Sequence, residues 1–75
     1  MVQPCEENLL RTVGKNVRIE RLKARLTQEK AAALSEIDVK HLQKIETGRI
    51  NATLRSLARI AAALGTVPDR LLRKR

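Results

Sequence analysis

The sequence contains no phenylalanine, tyrosine or tryptophan. Proteins that bind single-stranded nucleic acid commonly stack bases on aromatic rings, so this absence counts against that class of module. Without aromatic residues, the bulk of a core must come from leucine, isoleucine and valine, with alanine permitting close helix packing. A chain of 75 residues is long enough for one small domain with a thin core.

Cysteine is also scarce, since Cys5 is the single one. It cannot form an internal disulfide, and no Cys or His lies near it at metal-ligand spacing. We expect a free thiol in a reducing compartment, with no metal and no cofactor. No apolar run approaches the roughly 20 residues that span a bilayer, and no signal-peptide core is present. The expected location is therefore the cytoplasm, without a membrane span.

Acidic residues are outnumbered by basic ones. The chain has 16 Lys and Arg against 8 Asp and Glu, a formal net charge of +8. A charge so far from zero favours an anionic partner, and nucleic acid is the main candidate for a small helical domain. The alternative interpretation is a basic surface that is merely solvated. No strand pattern, internal repeat or low-complexity segment is present, which indicates an all-α fold.

The chain divides into a short arm and one helical domain. Residues 1–8 include Pro4 and show no hydrophobic periodicity, so we expect a mobile arm there. Residues 9–75 then form the domain. Apolar residues share one face of its first helix: Val13, Val17 and Ala24.

The stretch from Thr27 to Gly48 predicts two short helices around a tight turn. Thr27 and Asp38 are candidate N-caps, whose side-chain oxygens can accept from free N–H groups at a helix start. Gly48 is placed to end the second helix, because glycine adopts the left-handed C-cap conformation without steric cost. The two N-caps lie eleven residues apart. This spacing leaves room for about two helical turns and a connection, as in a helix-turn-helix.

Burial is predicted along one face of each helix. Small residues form the inner face of the helix over residues 28–35: Ala31, Ala32 and Ser35. The next helix, residues 38–47, buries Leu42 and Ile45. A wide apolar stripe over residues 54–64 predicts a fourth helix, and Pro68 fits the first position of a fifth.

Several motifs occur along the chain in this order: Arg21, L-T-Q-E at 26–29, I-D-V-K-H-L-Q-K-I-E-T-G at 37–48, Asn51, and L-x-x-L-A-R-I-A-A-A-L-G at 54–65. This ordered set resembles the Cro/cI-type helix-turn-helix (XRE) family, the fold of phage repressors and many small bacterial regulators. The resemblance covers about residues 13–72. It implies a compact, lambda-repressor-like fold of five helices. The helix over residues 38–47 would enter the DNA major groove, and the helix before it would lie across the backbone.

The resemblance also assigns roles to individual side chains. Gln28 matches a contact to phosphate and to the outermost base. Base-reading positions are matched by Val39, Lys40 and Lys44, and Gln43 lies beside them. Three residues match backbone contacts: Asp38, Thr47 and Arg49. Arg21 and Glu46 match a structural ion pair that joins the first helix to the end of the third. These residue types suit those roles, since lysine donates to guanine, glutamine can read adenine and valine can pack on a thymine methyl.

Two residues depart from the family's pattern. Glu36 stands in the turn where the family usually has glycine, so the backbone there must be strained or turn differently. Asp38 replaces the usual serine or threonine. It suits a helix cap, whereas its negative charge should repel phosphate. We therefore expect Asp38 to cap the helix rather than to contact DNA.

These features favour sequence-specific binding of double-stranded DNA by a small bacterial or phage transcriptional regulator. A homodimer would place two recognition helices about 34 Å apart on a near-palindromic site. Candidate dimer surfaces are apolar: Ile50, the outer face of the fourth helix, residues 68–72, Leu34 and the Leu9–Leu10 pair.

A protein-interaction role is the alternative class. The chain would then be an antitoxin whose partner is a toxin, or a co-activator-like bridge to polymerase. Exposed apolar residues would indicate such a role, and the candidates are Ile19, Leu34 and Ile50. An enzyme is not expected. His41 is the only histidine, and no Cys or carboxylate is arranged with it as a catalytic or metal site.

Overall fold

The computed structural model describes residues 4–74, and every regular element in that range is a helix. The helices are α1 (Pro4–Lys23), α2 (Gln28–Ser35), α3 (Val39–Glu46), α4 (Leu54–Leu64) and α5 (Pro68–Leu72). The predicted all-α fold of five helices is thus confirmed for the described residues. None of these helices is both long and apolar enough to cross a membrane.

The start of α1 differs from the sequence-based expectation. Residues 4–8 are helical, although we expected a mobile arm over residues 1–8. Residues 1–3 of that arm lie outside the described part of the chain. Residues 4–8 are helical because the composition of the first turn favours a helix. Pro4 suits the first helical position, where its missing N–H loses no hydrogen bond, and Glu6 and Glu7 complement the positive end of the helix dipole.

Side chains cap two of the helix starts. Thr27 Oγ1 accepts from the N–H of Lys30 at 3.1 Å, and Thr53 Oγ1 accepts from the N–H of Ser56 at 3.0 Å. Asp38 occupies the N-cap position of α3 with an extended backbone, but its side chain makes no capping hydrogen bond. The expected side-chain cap by Asp38 is therefore wrong. The carboxylate is exposed, so water can satisfy its oxygens and nothing holds it against the helix.

The end of α3 follows the predicted glycine cap. Gly48 adopts a left-handed conformation with φ 71°. Its N–H donates to the carbonyl of Ile45 at 3.0 Å, and the N–H of Arg49 donates to the carbonyl of Lys44 at 2.9 Å. This pair of hydrogen bonds is the Schellman motif, which satisfies carbonyls that a helix end leaves free.

All five helices contribute aliphatic side chains to one core. Its members are Val13, Val17, Ala31, Ala32, Leu42, Ile45, Leu57, Ile60, Ala61, Leu64 and Leu71. The predicted inner faces of α2 and α3 are confirmed. Ala24, which we expected on the buried face of the first helix, follows the end of α1 and is exposed. The helix ends at Lys23, and Arg25 takes a left-handed conformation that turns the chain away.

Two buried residues of α1 hold the neighbouring helices close. A Cβ atom at Gly14 would lie 2.4 Å from the carbonyl oxygen of Ile45, so only glycine lets α1 touch the end of α3. Asn16 is 1% exposed, and its Nδ2 donates to the carbonyl of Leu71 at 3.0 Å and also to that of Arg73. The helix α1 thus fixes the positions of both α3 and α5.

Candidate nucleic-acid interface

The turn between α2 and α3 is tight because one residue adopts a left-handed conformation. Glu36 has φ 57° and ψ 42°. Its N–H donates to the carbonyl of Ala33, and the N–H of Ile37 donates to the carbonyl of Ala32. The chain therefore keeps the tight turn without glycine and accepts a strain of about 1–2 kcal/mol for a residue that carries a Cβ atom.

An open cleft lies along the outer side of α3 and the loop after it. It has a volume of about 400 Å³ and is lined by Lys40, Gln43, Lys44, Thr47 and Arg49. All of these were predicted site residues. Three of the five side chains are cationic and none is acidic, so the cleft presents a positive field to an anion.

Thr47 is already engaged within this cleft. Its hydroxyl donates to the carbonyls of Gln43 and Lys44, both at 3.1 Å. The single hydroxyl hydrogen is shared between them, so Thr47 must leave these carbonyls before it can donate to a phosphate. Lys40 and Arg49 are exposed and form no ion pair among the described residues, which leaves their charges available.

Gln28, at the first position of α2, does not line the cleft but is joined to it. Its Oε1 accepts a hydrogen bond from Nε2 of Gln43 at 3.3 Å. Its own Nε2 donates to Oε1 of Glu46 at 3.2 Å. Sequence pattern could not predict the Gln28–Gln43 contact, because a hydrogen bond between a half-buried and an exposed long side chain, 15 residues apart, leaves no trace in local pattern.

The predicted ion pair between Arg21 and Glu46 is present. Arg21 Nε lies 2.7 Å from Oε2 of Glu46, and Nη2 lies 3.1 Å from Oε1. The two side chains are 10% and 3% exposed. Arg21 Nη1 also donates to the carbonyl of Leu26 at 2.9 Å. This bidentate pair connects the end of α1, the approach to α2 and the end of α3.

Val39 and the two carboxylates of the turn complete this face. Val39 is half-buried, packs against the core and is not brought into the cleft. Glu36 and Asp38 are exposed, and neither side chain forms a hydrogen bond or ion pair within residues 4–74. Their negative charges lie beside α3, so they reduce the positive potential at its N-terminal end.

A second basic cluster lies at α1 and α5. Lys23, Arg70, Arg73 and Lys74 line a cleft of about 180 Å³. Two carboxylates offset its charge, because Glu20 lies 3.7 Å from Lys23 and Asp69 lies 3.6 Å from Arg73. Gly14 faces α3 and Asn16 faces α5. Because a helix turns about 100° per residue, these two positions lie about 200° apart, on nearly opposite sides of α1. This cluster therefore lies across α1 from the cleft of α3.

The sequence matches the family model described as helix-turn-helix (HTH_3) over residues 17–72. The chain belongs to this helix-turn-helix family, of the Cro/cI (XRE) type. No curated protein matches the sequence significantly.

Solved structures of transcription regulators share this fold. The restriction-modification controller protein C.AhdI from Aeromonas hydrophila is 32% identical, with 83% of this chain and 94% of that chain covered and a TM-score of 0.80. The hypothetical transcription factor NHTF from Neisseria is 29% identical, with 97% and 84% covered and a TM-score of 0.85. The clp gene regulator ClgR from Corynebacterium glutamicum is 26% identical, with 85% and 68% covered and a TM-score of 0.82.

The family, the fold and these similarities agree on one class of protein. The chain is a DNA-binding transcriptional regulator of the helix-turn-helix type.

Proposed function

We propose that the protein binds double-stranded DNA in a sequence-specific manner, with the helix over residues 38–47 in the major groove and α2 across the backbone. The observation that carries this proposal is the open cleft lined by Lys40, Gln43, Lys44, Thr47 and Arg49, which has three cationic side chains and no acidic one. A groove-facing helix with cationic and amide side chains supplies donors and acceptors for base edges.

Individual roles follow from side-chain chemistry and position. Lys40 and Lys44 are exposed on α3 and can donate to guanine O6 and N7. Arg49 and Thr47, which follow α3, suit phosphate oxygens. Gln28 opens α2, where free backbone N–H groups also favour an anion. The exposed part of Val39 can pack on a thymine methyl, although its other side is used by the core.

We further propose that the DNA-binding species is a homodimer. A helix of the length of α3 extends only about 12 Å, which reaches one half-site. A two-fold dimer would place a second copy about 34 Å away along the duplex. Specific binding by two half-sites explains how a regulator of this size can distinguish its site from bulk DNA.

The dimer surface we propose is an apolar groove that combines several surfaces expected from the sequence. It has a volume of about 140 Å³, and its rim and floor include Leu9, Leu10, Ile50, Leu54 and Leu72. Leu34 is not part of it. Leu54 is 80% exposed beside the groove, so one patch carries both a protruding side chain and a cavity.

A second copy is the occupant that fits this patch best. A two-fold interface pairs the same patch with itself, so a protruding leucine and an apolar groove are self-complementary. Each chain carries a net charge of +8, so two copies repel least when they meet on an uncharged surface that keeps their charges apart. Every residue that lines this groove is uncharged.

The alternative of a protein partner rests on a different surface. Leu34 is 60% exposed on α2, as the sequence predicted, and has no cover in the described part of the chain. A toxin or polymerase subunit bound there would make the chain an antitoxin or a co-activator-like module. A stoichiometric protein partner that is lost in Leu34→Ser would favour this role. The cytoplasmic location stays a prediction that follows from either role.

The direct test of DNA binding is affinity measured against salt. If a dimer neutralises six or more phosphates, affinity for a duplex pool should fall roughly a thousandfold between about 50 and 200 mM salt. A salt-independent affinity would contradict the proposal.

Sedimentation equilibrium of the wild type and of Leu54→Glu tests the dimer. This substitution introduces charge at the proposed interface without touching the core, so it should shift the protein toward the monomer. A dimer that persists unchanged in this variant would refute the proposed surface.

A further inference from the structure

A network of hydrogen bonds runs from the core to Gln43 in the cleft. Glu46 is nearly buried and accepts from Arg21 through both of its oxygens. Its Oε1 also accepts from Nε2 of Gln28 at 3.2 Å, and Oε1 of Gln28 accepts from Nε2 of Gln43 at 3.3 Å. Side chains from α1, α2 and α3 are thus connected in one network.

The direction of these hydrogen bonds is set at Glu46. A carboxylate paired with an arginine offers only acceptor atoms, so Gln28 must turn its NH₂ group toward it. The carbonyl oxygen of Gln28 then faces Gln43. Because that oxygen can only accept, Gln43 must present its own NH₂ group. If either amide were flipped, two groups of the same kind would face each other and a hydrogen bond would be lost.

This direction decides what Gln43 offers to DNA. One N–H of its amide is used by Gln28, which leaves the second N–H and the carbonyl oxygen. The side chain is exposed and lines the cleft. In the major groove, adenine presents one acceptor at N7 and one donor at N6, which matches one remaining donor and one acceptor. Guanine presents two acceptors there, so the carbonyl oxygen of Gln43 would be left without a partner.

We infer that Gln43 reads an adenine and that Gln28 is the positioning residue that fixes the orientation of its amide. This inference rests on the proposed function, since it requires α3 in the major groove. It gives Gln28 a role in specificity that acts through Gln43, in addition to the contacts with phosphate and the outermost base that the family resemblance implies. Loss of Gln28 should therefore change the base preference at the position that Gln43 reads, which loss of its own contacts with phosphate or the outermost base would not do.

The test is selection of bound sequences from a random duplex pool, with the wild type and three variants. The wild type should enrich adenine over guanine at one position of each half-site by roughly 5- to 150-fold. Gln43→Ala should lose this preference at that position only. Gln28→Met, which keeps the side-chain length but cannot hydrogen-bond in this way, should lower the preference severalfold at the same position. Arg49→Ala is the matched control, which should weaken binding and leave the preference intact.

The possible outcomes separate this inference from the proposed function. An adenine preference that survives in Gln28→Met would overturn the positioning role. A base other than adenine at the position that depends on Gln43 would overturn the adenine assignment. No enrichment of any sequence by the wild type would instead contradict the proposed function. If Gln28→Met does not fold, Gln28→Asn replaces it, because its shorter amide cannot reach both partners and should give the same loss.

Discussion

Gly14→Ala should destabilise the protein, although alanine is the better helix former. Replacing a glycine inside a helix normally stabilises it by about 1 kcal/mol. In this structure the new Cβ would lie 2.4 Å from the carbonyl oxygen of Ile45 and 2.8 Å from that of Glu46. Both are backbone atoms at the end of α3, so they cannot rotate away as a side chain would. The two helices must separate instead.

The size of the effect follows from two opposing terms. Overpacking of this kind costs about 1–3 kcal/mol, and the upper end applies because only the backbone can move. The gain in helix propensity offsets about 1 kcal/mol of that. The expected net loss is about 2 kcal/mol, which lowers the Tm of a small domain by roughly 10 °C. Separation of the helices should also strain the Arg21–Glu46 pair.

Thermal and urea unfolding, followed by circular dichroism, measure this loss. Ala58→Gly is the matched control, because Ala58 is an exposed residue inside α4 and reports helix propensity alone. It should cost about 1 kcal/mol. If Gly14→Ala left the Tm unchanged or raised it by a comparable amount, the close contact between α1 and α3 would be refuted.

Three further changes test other parts of the account. Glu46→Ala should cost about 3 kcal/mol, because it leaves the nearly buried guanidinium of Arg21 without its partner; an unchanged Tm would count against this pair. Glu36→Gly should stabilise by about 0.5–1 kcal/mol, since relief of the left-handed strain exceeds the added chain entropy; a lower urea midpoint would contradict that reasoning. Lys44→Ala should change base preference in a duplex selection, whereas Arg49→Ala should weaken all sequences alike; identical profiles of the two variants would refute their separate roles.

Sequence pattern was sufficient where a feature depends on neighbouring residues. Thr27 and Gly48 were recognised as caps because capping is decided within one helical turn. The strained turn at Glu36 was also anticipated, because the family places glycine there. The pair between Arg21 and Glu46 lies 25 residues apart in sequence, and only the family resemblance could predict it.

Features that depend on distant contacts were not predicted. The contact between Gly14 and the end of α3, and that between Asn16 and α5, each join segments that no local pattern relates. A glycine and an asparagine in a helix look unfavourable until the helices beside them are known. Asp38 shows the opposite case. Its type and position suit a cap, but an exposed carboxylate can be hydrated as easily as it can bond to the backbone.

The candidate site, like the fold, was predicted only in part. The resemblance predicted which residues share a face, and Lys40, Gln43 and Lys44 do lie together with the residues after α3. It did not predict that Gln28 and Gln43 are hydrogen-bonded, nor that Val39 would pack partly into the core. These details depend on the distance and angle between α2 and α3, which the turn at Glu36 fixes.

Amide chemical shifts during titration with a selected duplex test the central claim most directly. If α2 and α3 form the DNA-binding face, the largest changes should fall within residues 28–49, centred on Lys40 to Arg49. The cluster of Lys23, Arg70, Arg73 and Lys74 is an internal control, because it is basic but lies across α1 from α3. Changes concentrated in that cluster, with residues 28–49 unaffected, would contradict the account.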